Sequence, residues 1–106
     1  MKGYQITFFT QQDQQHQHMP VAEWLMRTAR ELGLHGATRL AASEGFGRHG
    51  RLHSAHFFEL GDQPQEVLLA LTEEEAGRLF ARLKEEGVHL FYVKTAVEFG
   101  VLGNGL

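Results

Sequence analysis

Val67-Leu68-Leu69-Ala70-Leu71-Thr72-Glu73-Glu74-Glu75 passes from an apolar run straight into an acidic one. Its first five residues are apolar at both parities, which reads as strand buried on both faces. The next four match a capping box: the Thr72 hydroxyl and the Glu75 carboxylate answer N–H groups that a helix start leaves unpaired. Three acidic residues in that first turn also suit the positive end of the helix dipole, so the run Glu73 to Glu75 is read as a cap and not as an acid-base group. Ala76, Leu79, Phe80 and Leu83 then recur at helical spacing until Gly87 ends the segment. Strand passes directly into helix.

Working outward, Val88 to Thr95 is the strand that follows this helix. On the N-terminal side, Glu66 to Leu71 continues the sheet after the turn cluster Gly61-Asp62-Gln63-Pro64, as the second half of a bent or interrupted strand that begins with Leu52 to Leu60. Ala37 to Ser43 reads as a strand of small residues, followed by a loop over Glu44 to Gly50. A first helix is signalled by Val21, Trp24, Leu25, Thr28, Ala29 and Leu32, with Glu23, Arg27, Arg30 and Glu31 on its outer side. Pro20 stands at its start and Gly33 at its stop. Trp24 lies on the apolar stripe and is therefore read as core. Gln11 to Met19 is a polar loop, and Gly3 to Thr10, rich in β-branched and aromatic residues, is the first strand.

The order strand, helix, strand, strand, helix, strand gives an α+β fold of ferredoxin-like βαββαβ type, an antiparallel sheet with two helices on one face. Two helices cannot cover both faces of a sheet whose strands are apolar at both parities. The bare face therefore predicts self-association as a closed ring or dimer. The 106 residues fit one domain, 1–106, and the tail 96–106, apolar at Val97, Phe99, Val101, Leu102 and Leu106, is expected to pack on that domain or on a neighbouring subunit.

Composition sets further bounds. Hydrophobic residues make up 42% and charged residues 22%, an ordinary globular balance. The net charge of -3 provides no basic field for nucleic acid, and none is expected as a partner. The absence of cysteine removes disulfides, thiolate metal sites and cysteine nucleophiles, and it fits a cytoplasmic location. The N-terminus lacks the apolar region and cleavage site of a signal peptide, and no run approaches the ~20 apolar residues of a membrane span.

Chemistry concentrates in Gly45-Phe46-Gly47-Arg48-His49-Gly50-Arg51-Leu52-His53. Glycines let backbone N–H groups approach an anion, and arginine presents a planar fork of donors to phosphate or carboxylate oxygens. Two readings stay open: an anion site, or a hairpin tip whose arginines are solvated. The candidate ligand-binding residues are Gly45, Phe46, Gly47, Arg48, His49, Arg51 and His53. No catalytic residue is assigned, because no serine elbow, paired catalytic carboxylates or Walker-type loop is present. His16, His18, His49 and His53 carry the alternative of a histidine-based metal site, although on a strand His53 and His56 would point to opposite faces.

The segments Gly36-Ala37-Thr38, Glu44-Gly45-Phe46-Gly47-Arg48, Leu60-Gly61-Asp62-Gln63-Pro64 and the acid-capped second helix together resemble the PII-like proteins, and most of all their branch known as domain-of-unknown-function family 190. The resemblance implies a ferredoxin-like subunit in a homotrimer, with sheets facing inward and ligand clefts between subunits. It implies a signalling or regulatory protein that binds a small anionic effector, an adenine nucleotide being the candidate cofactor, through Gly45 to Arg48. A short mobile loop over Arg48 to Leu52 would act on a partner such as a membrane transporter or an enzyme. A copper-tolerance-like metal-binding trimer is the alternative on the same fold. The chain departs from PII between the second helix and the last strand, where Lys84-Glu85-Glu86-Gly87-Val88-His89 is short and acidic instead of a glycine-rich phosphate loop.

Overall fold

A computed structural model describes residues 1–41, 44–46, 52–54 and 64–103, with segments 44–46 and 52–54 given by their backbone alone. The elements in chain order are β1 (Lys2–Gln11), β2 (Gln15–His16), β3 (Met19–Pro20), α1 (Val21–Glu31), β4 (Thr38–Ala41), β5 (Glu44–Phe46), β6 (Leu52–Ser54), β7 (Pro64–Thr72), α2 (Glu73–Glu86) and β8 (Phe91–Glu98). The main sheet has the order β4-β7-β1-β8 and all its pairings are antiparallel. This is the ferredoxin-like arrangement expected from the sequence.

Side-chain alternation along the strands separates two environments. Ile6 and Phe8 of β1 and Val67, Leu69 and Leu71 of β7 are buried, and they join Val21, Trp24, Leu25 and Ala29 of α1 and Ala76, Leu79 and Leu83 of α2 in one core. Burying each large side chain of this set stabilises the fold by about 1.5–3 kcal/mol. Trp24 is only 4% exposed, which confirms it as core. The opposite sheet face carries Leu40, Phe9, Phe91 and Val93, all exposed in the single chain. Phe9 and Phe91 are cross-strand partners with ring centroids 5.5 Å apart.

Both helices end as their sequences predict. Gly33 (φ 69°) and Gly87 (φ 68°) adopt the left-handed conformation. Leu34 N–H then bonds to Ala29 O (3.0 Å) and Val88 N–H to Leu83 O (3.2 Å), satisfying carbonyls that the helix ends leave free. The capping box is complete: Glu75 N–H donates to Thr72 Oγ1 (3.2 Å) and Thr72 N–H donates to Glu75 Oε1 (3.0 Å). Along α2, Arg78 donates to the Leu32 carbonyl (2.8 Å) and Arg82 approaches Glu31 (3.6 Å), fastening α2 against the end of α1. Among the described residues, no helix is long and apolar enough to cross a membrane.

Four expectations need correction. The last strand runs Phe91–Glu98 and not Val88 to Thr95, because Val88 and Leu90 are taken up by packing against the core before the ladder with β1 begins. Residues 96–98 of the expected tail therefore belong to that strand. Beyond them, Phe99 N–H donates to Met1 O (2.8 Å) and the Met1 amino group to Phe99 O (2.7 Å), while Val101 and Leu102 are exposed.

The segment Glu66 to Leu71 lies within β7, which is continuous over nine residues and opens on Pro64, a position where a missing N–H costs no ladder bond. Leu52–Ser54 pairs with β5 and not within the main sheet, and residues 55–63 of the expected third run lie outside the described residues. Finally, Gln11 to Met19 is not plain loop. It contains the β2–β3 ribbon, whose turn residues Gln17 (φ 52°) and His18 (φ 65°) both lie in the left-handed region.

Candidate functional site

The chain leaves the main sheet at its β4 edge and pairs with itself as the β5–β6 ribbon, in the register Glu44↔Ser54, Gly45↔His53 and Phe46↔Leu52. Three residues singled out from the sequence are thus brought together: Gly45 stands opposite His53, with Phe46 in the next pair. Leu52, expected in the loop, is a ribbon residue. Gly47, Arg48, His49 and Arg51 lie outside the described residues, as do residues 42 and 43 of the expected second strand.

The connection from α2 to β8, where a phosphate loop would be looked for, is closed by a carboxylate. Glu86 Oε1 accepts from Gln17 Nε2 (2.8 Å) and lies 3.1 Å from His16 Nε2. The Gln14 amide reaches the His89 carbonyl (3.4 Å) and accepts from Thr10 Oγ1 (2.8 Å). The β2–β3 ribbon is therefore tied over the end of α2, and its left-handed turn, uncommon for residues other than glycine, asparagine or aspartate, is held by these bonds. Sequence reasoning singled out His16 and His18 but missed Glu86 as the anchor of His16 and Gln17; the acidic residue before Gly87 was the only available signal.

His16 is accordingly a structural residue, packed with its ring centroid 4.6 Å from that of Trp24 and its Nε2 engaged by Glu86. Among the described residues, no three histidine, aspartate or glutamate side chains gather as metal ligands. Glu75 likewise acts as a cap. Burial, the largest influence, opposes its ionisation. The bond from the Thr72 N–H and those with His35 and the Thr72 side chain overcome it, so its carboxyl is held below the usual value. His35 Nδ1 lies 2.9 Å from Glu75 Oε2 and joins the loop after α1 to the start of α2.

Comparison with known proteins places this geometry. In sequence, the chain is 29% identical over 75 residues to a UPF0166 protein of Aquifex aeolicus strain VF5, covering 71% of each chain. In structure, it is similar to CPII, a nitrogen regulatory PII-like protein from Thiomonas intermedia K12 solved with ADP, AMP and bicarbonate. The TM-score is 0.69 at 17% identity, covering 95% of this chain and 91% of that one. A candidate PII-like signalling protein from Thermus thermophilus gives a TM-score of 0.62 at 20% identity, covering 91% of this chain and 85% of that one. The sequence profile of the DUF190 family, described as Uncharacterized ACR, matches residues 3–98, from the first strand through the last. With nearly its whole length accounted for by that profile and its sheet and helices arranged as in PII-like proteins, the chain belongs to the DUF190 family.

Proposed function

We propose that this chain is a PII-like regulatory protein that binds a small anionic metabolite, with an adenine nucleotide as first candidate, at clefts between the subunits of a homotrimer. One domain spans 1–106, its tail 96–106 packing on that domain or on a neighbouring subunit. The observation that carries the reading is the β5–β6 ribbon, which sets Gly45 and His53 opposite each other at the base of residues 47–51, directly after the sheet edge. CPII, on the same fold, was solved with ADP, AMP and bicarbonate, so both ligand chemistries are candidates here. Gly45, Phe46, Gly47 and Arg48 would supply backbone donors and a guanidinium to the anion, with His49, Arg51 and His53 around them.

Self-association has its own support in the exposed Phe9, Leu40, Phe91 and Val93, since water-exposed apolar groups on one face favour covering by a second copy. The effector would act by preferring one conformer of the short loop presented to a partner enzyme or transporter. A cytoplasmic site of action fits this role.

The segment Lys84 to His89 is short and acidic where PII carries a glycine-rich phosphate loop, so the reading expects the ribbon side to dominate affinity. Isothermal titration with ATP, ADP, AMP, cyclic nucleotides and bicarbonate tests it, alongside light scattering for the trimer. Binding that is at least tenfold weaker in Arg48→Ala supports the site. The proposal fails if no anion binds below millimolar concentration and Arg48→Ala leaves every titration unchanged.

A further inference from the structure

On the far side of the sheet from the β5–β6 ribbon, α2 overhangs the edge strand β8 and leaves a cleft of about 420 Å³. Its walls are rings: Phe80 and Tyr92 meet edge to face with centroids 5.0 Å apart, and Tyr4 lies opposite. Its charged lining residues are one ammonium, Lys94, and one carboxylate, Glu73. Lys94 Nζ is held 4.1 Å from the Tyr4 ring centroid and 5.6 Å from that of Phe80. Neither Lys94 nor Glu73 forms an ion pair with the other or with any described residue.

Ala76 and Gly77 of α2 also line the cleft. Gly77 sits inside a helix, where glycine is less stable than alanine. Its backbone does not require it: its φ is not positive and an added Cβ would meet nothing within 4 Å. Nothing among the described residues requires a glycine there, whereas a ligand lying on the helix surface would.

We infer that this cleft is a second ligand site, built for a small zwitterion with a planar apolar side group, in chemical class an aromatic α-amino acid. The balance of charges selects the class. A simple anion drawn to Lys94 is repelled by Glu73, and a simple cation drawn to Glu73 is repelled by Lys94; a molecule carrying both groups satisfies both. The rings then receive its planar side group, and Gly77 gives it room against the helix. The volume lies in the range of small-molecule sites, roughly 300–1,000 Å³. An adjoining cleft of about 410 Å³ shares Tyr4 and Glu73 and opens toward Lys2 and Glu98, so larger side groups can extend there. The inference does not depend on the anion site at Gly45 to Arg48.

The test is titration of the full chain with L-phenylalanine, 3-phenylpropionate and phenethylamine, followed by backbone amide NMR shifts and calorimetry. L-phenylalanine is expected to bind about tenfold more tightly than either truncated analogue, each of which lacks one charged contact. Lys94→Gln should erase its advantage over phenethylamine, Glu73→Gln its advantage over 3-phenylpropionate, and Gly77→Val should block all three. Arg48→Ala should change none of these, which separates failure here from failure at the anion site. Thermal melts establish that each variant folds. The inference is overturned if 3-phenylpropionate matches L-phenylalanine in the native chain, if folded Gly77→Val still binds, if no shift appears at residues of α2 and β8, or if ATP occupies the cleft instead.

Discussion

Replacing Glu75 tests how the second helix is started and how its pH response arises. The side chain is 6% exposed and serves two partners: Oε1 accepts from Thr72 N–H at 3.0 Å and Oε2 meets His35 Nδ1 at 2.9 Å. In Glu75→Gln the amide oxygen can still accept from Thr72. The variant then loses the favourable charge at the helix start, about 0.3–1 kcal/mol, and an ion pair whose histidine side is well exposed, worth no more than about 1 kcal/mol. A total near 1 kcal/mol is expected. Glu75→Ala also leaves the Thr72 N–H without its acceptor, for about 1–3 kcal/mol more, so its loss should be about 2–4 kcal/mol.

The carboxyl titrates lower in the folded chain than its ordinary value of 4.5, so protonation favours unfolding. Its stabilising contribution is complete above that value and disappears as pH falls through the lowered folded-state value. Urea unfolding followed by Trp24 fluorescence at fixed subunit concentration, from pH 7 to pH 3, reads this directly. The difference between native chain and Glu75→Gln should shrink as the carboxylate is protonated toward pH 3. A difference that stays constant or grows toward pH 3 would refute the reasoning.

Other perturbations follow from the same geometry. Gly3→Ala drives a Cβ into the Leu71 carbonyl oxygen, against backbone that cannot yield, and should cost about 3 kcal/mol in chemical denaturation, whereas Gly36→Ala meets nothing within 4 Å and should be near neutral. Phe91→Asp puts a charge on the open sheet face, and light scattering should report monomer where the native chain self-associates; unchanged mass would remove that face as the interface. Glu86→Ala frees His16 and Gln17, so amide exchange at Gln17 and His18 should accelerate at least tenfold while global stability falls by no more than about 1 kcal/mol.

The parts of the fold that were legible in the sequence are those fixed by nearby residues. Thr72 with Glu75 and Gly87 bounded α2, and the stripe from Val21 to Ala29 with Gly33 bounded α1, because caps and helical periodicity act over a few positions. The start of β8 was misplaced because Val88 and Leu90 are apolar in either role, and only pairing of Phe91 with Phe9, distant in sequence, decides where the ladder begins. The β2–β3 ribbon was illegible for a similar reason: Gln17 and His18 carry no turn signature, and the bonds that hold their left-handed backbone come from Glu86 at the other end of the chain. Of the candidate site, the ribbon limbs around Gly45 and His53 were foreshadowed by the glycine and arginine run. The cleft at α2 and β8 was not, since Tyr4, Glu73, Gly77 and Lys94 share no motif and meet only through the sheet order.

That sheet order also constrains how subunits can meet. Leu40, Glu66, Phe9 and Phe91 form one row across the open face, because each is the cross-strand partner of the next. Three members are apolar and the second is a carboxylate. Covering the row with a copy of the chain removes Glu66 from water, which is unfavourable unless a cation or a set of hydrogen-bond donors meets it. An interface through this face is therefore not free to slide: only a register that brings a donor of the neighbouring subunit to Glu66 avoids an unpaired buried charge. In an interface built on this row the apolar members would supply the drive to associate, and Glu66 would restrict the registers in which two copies can meet.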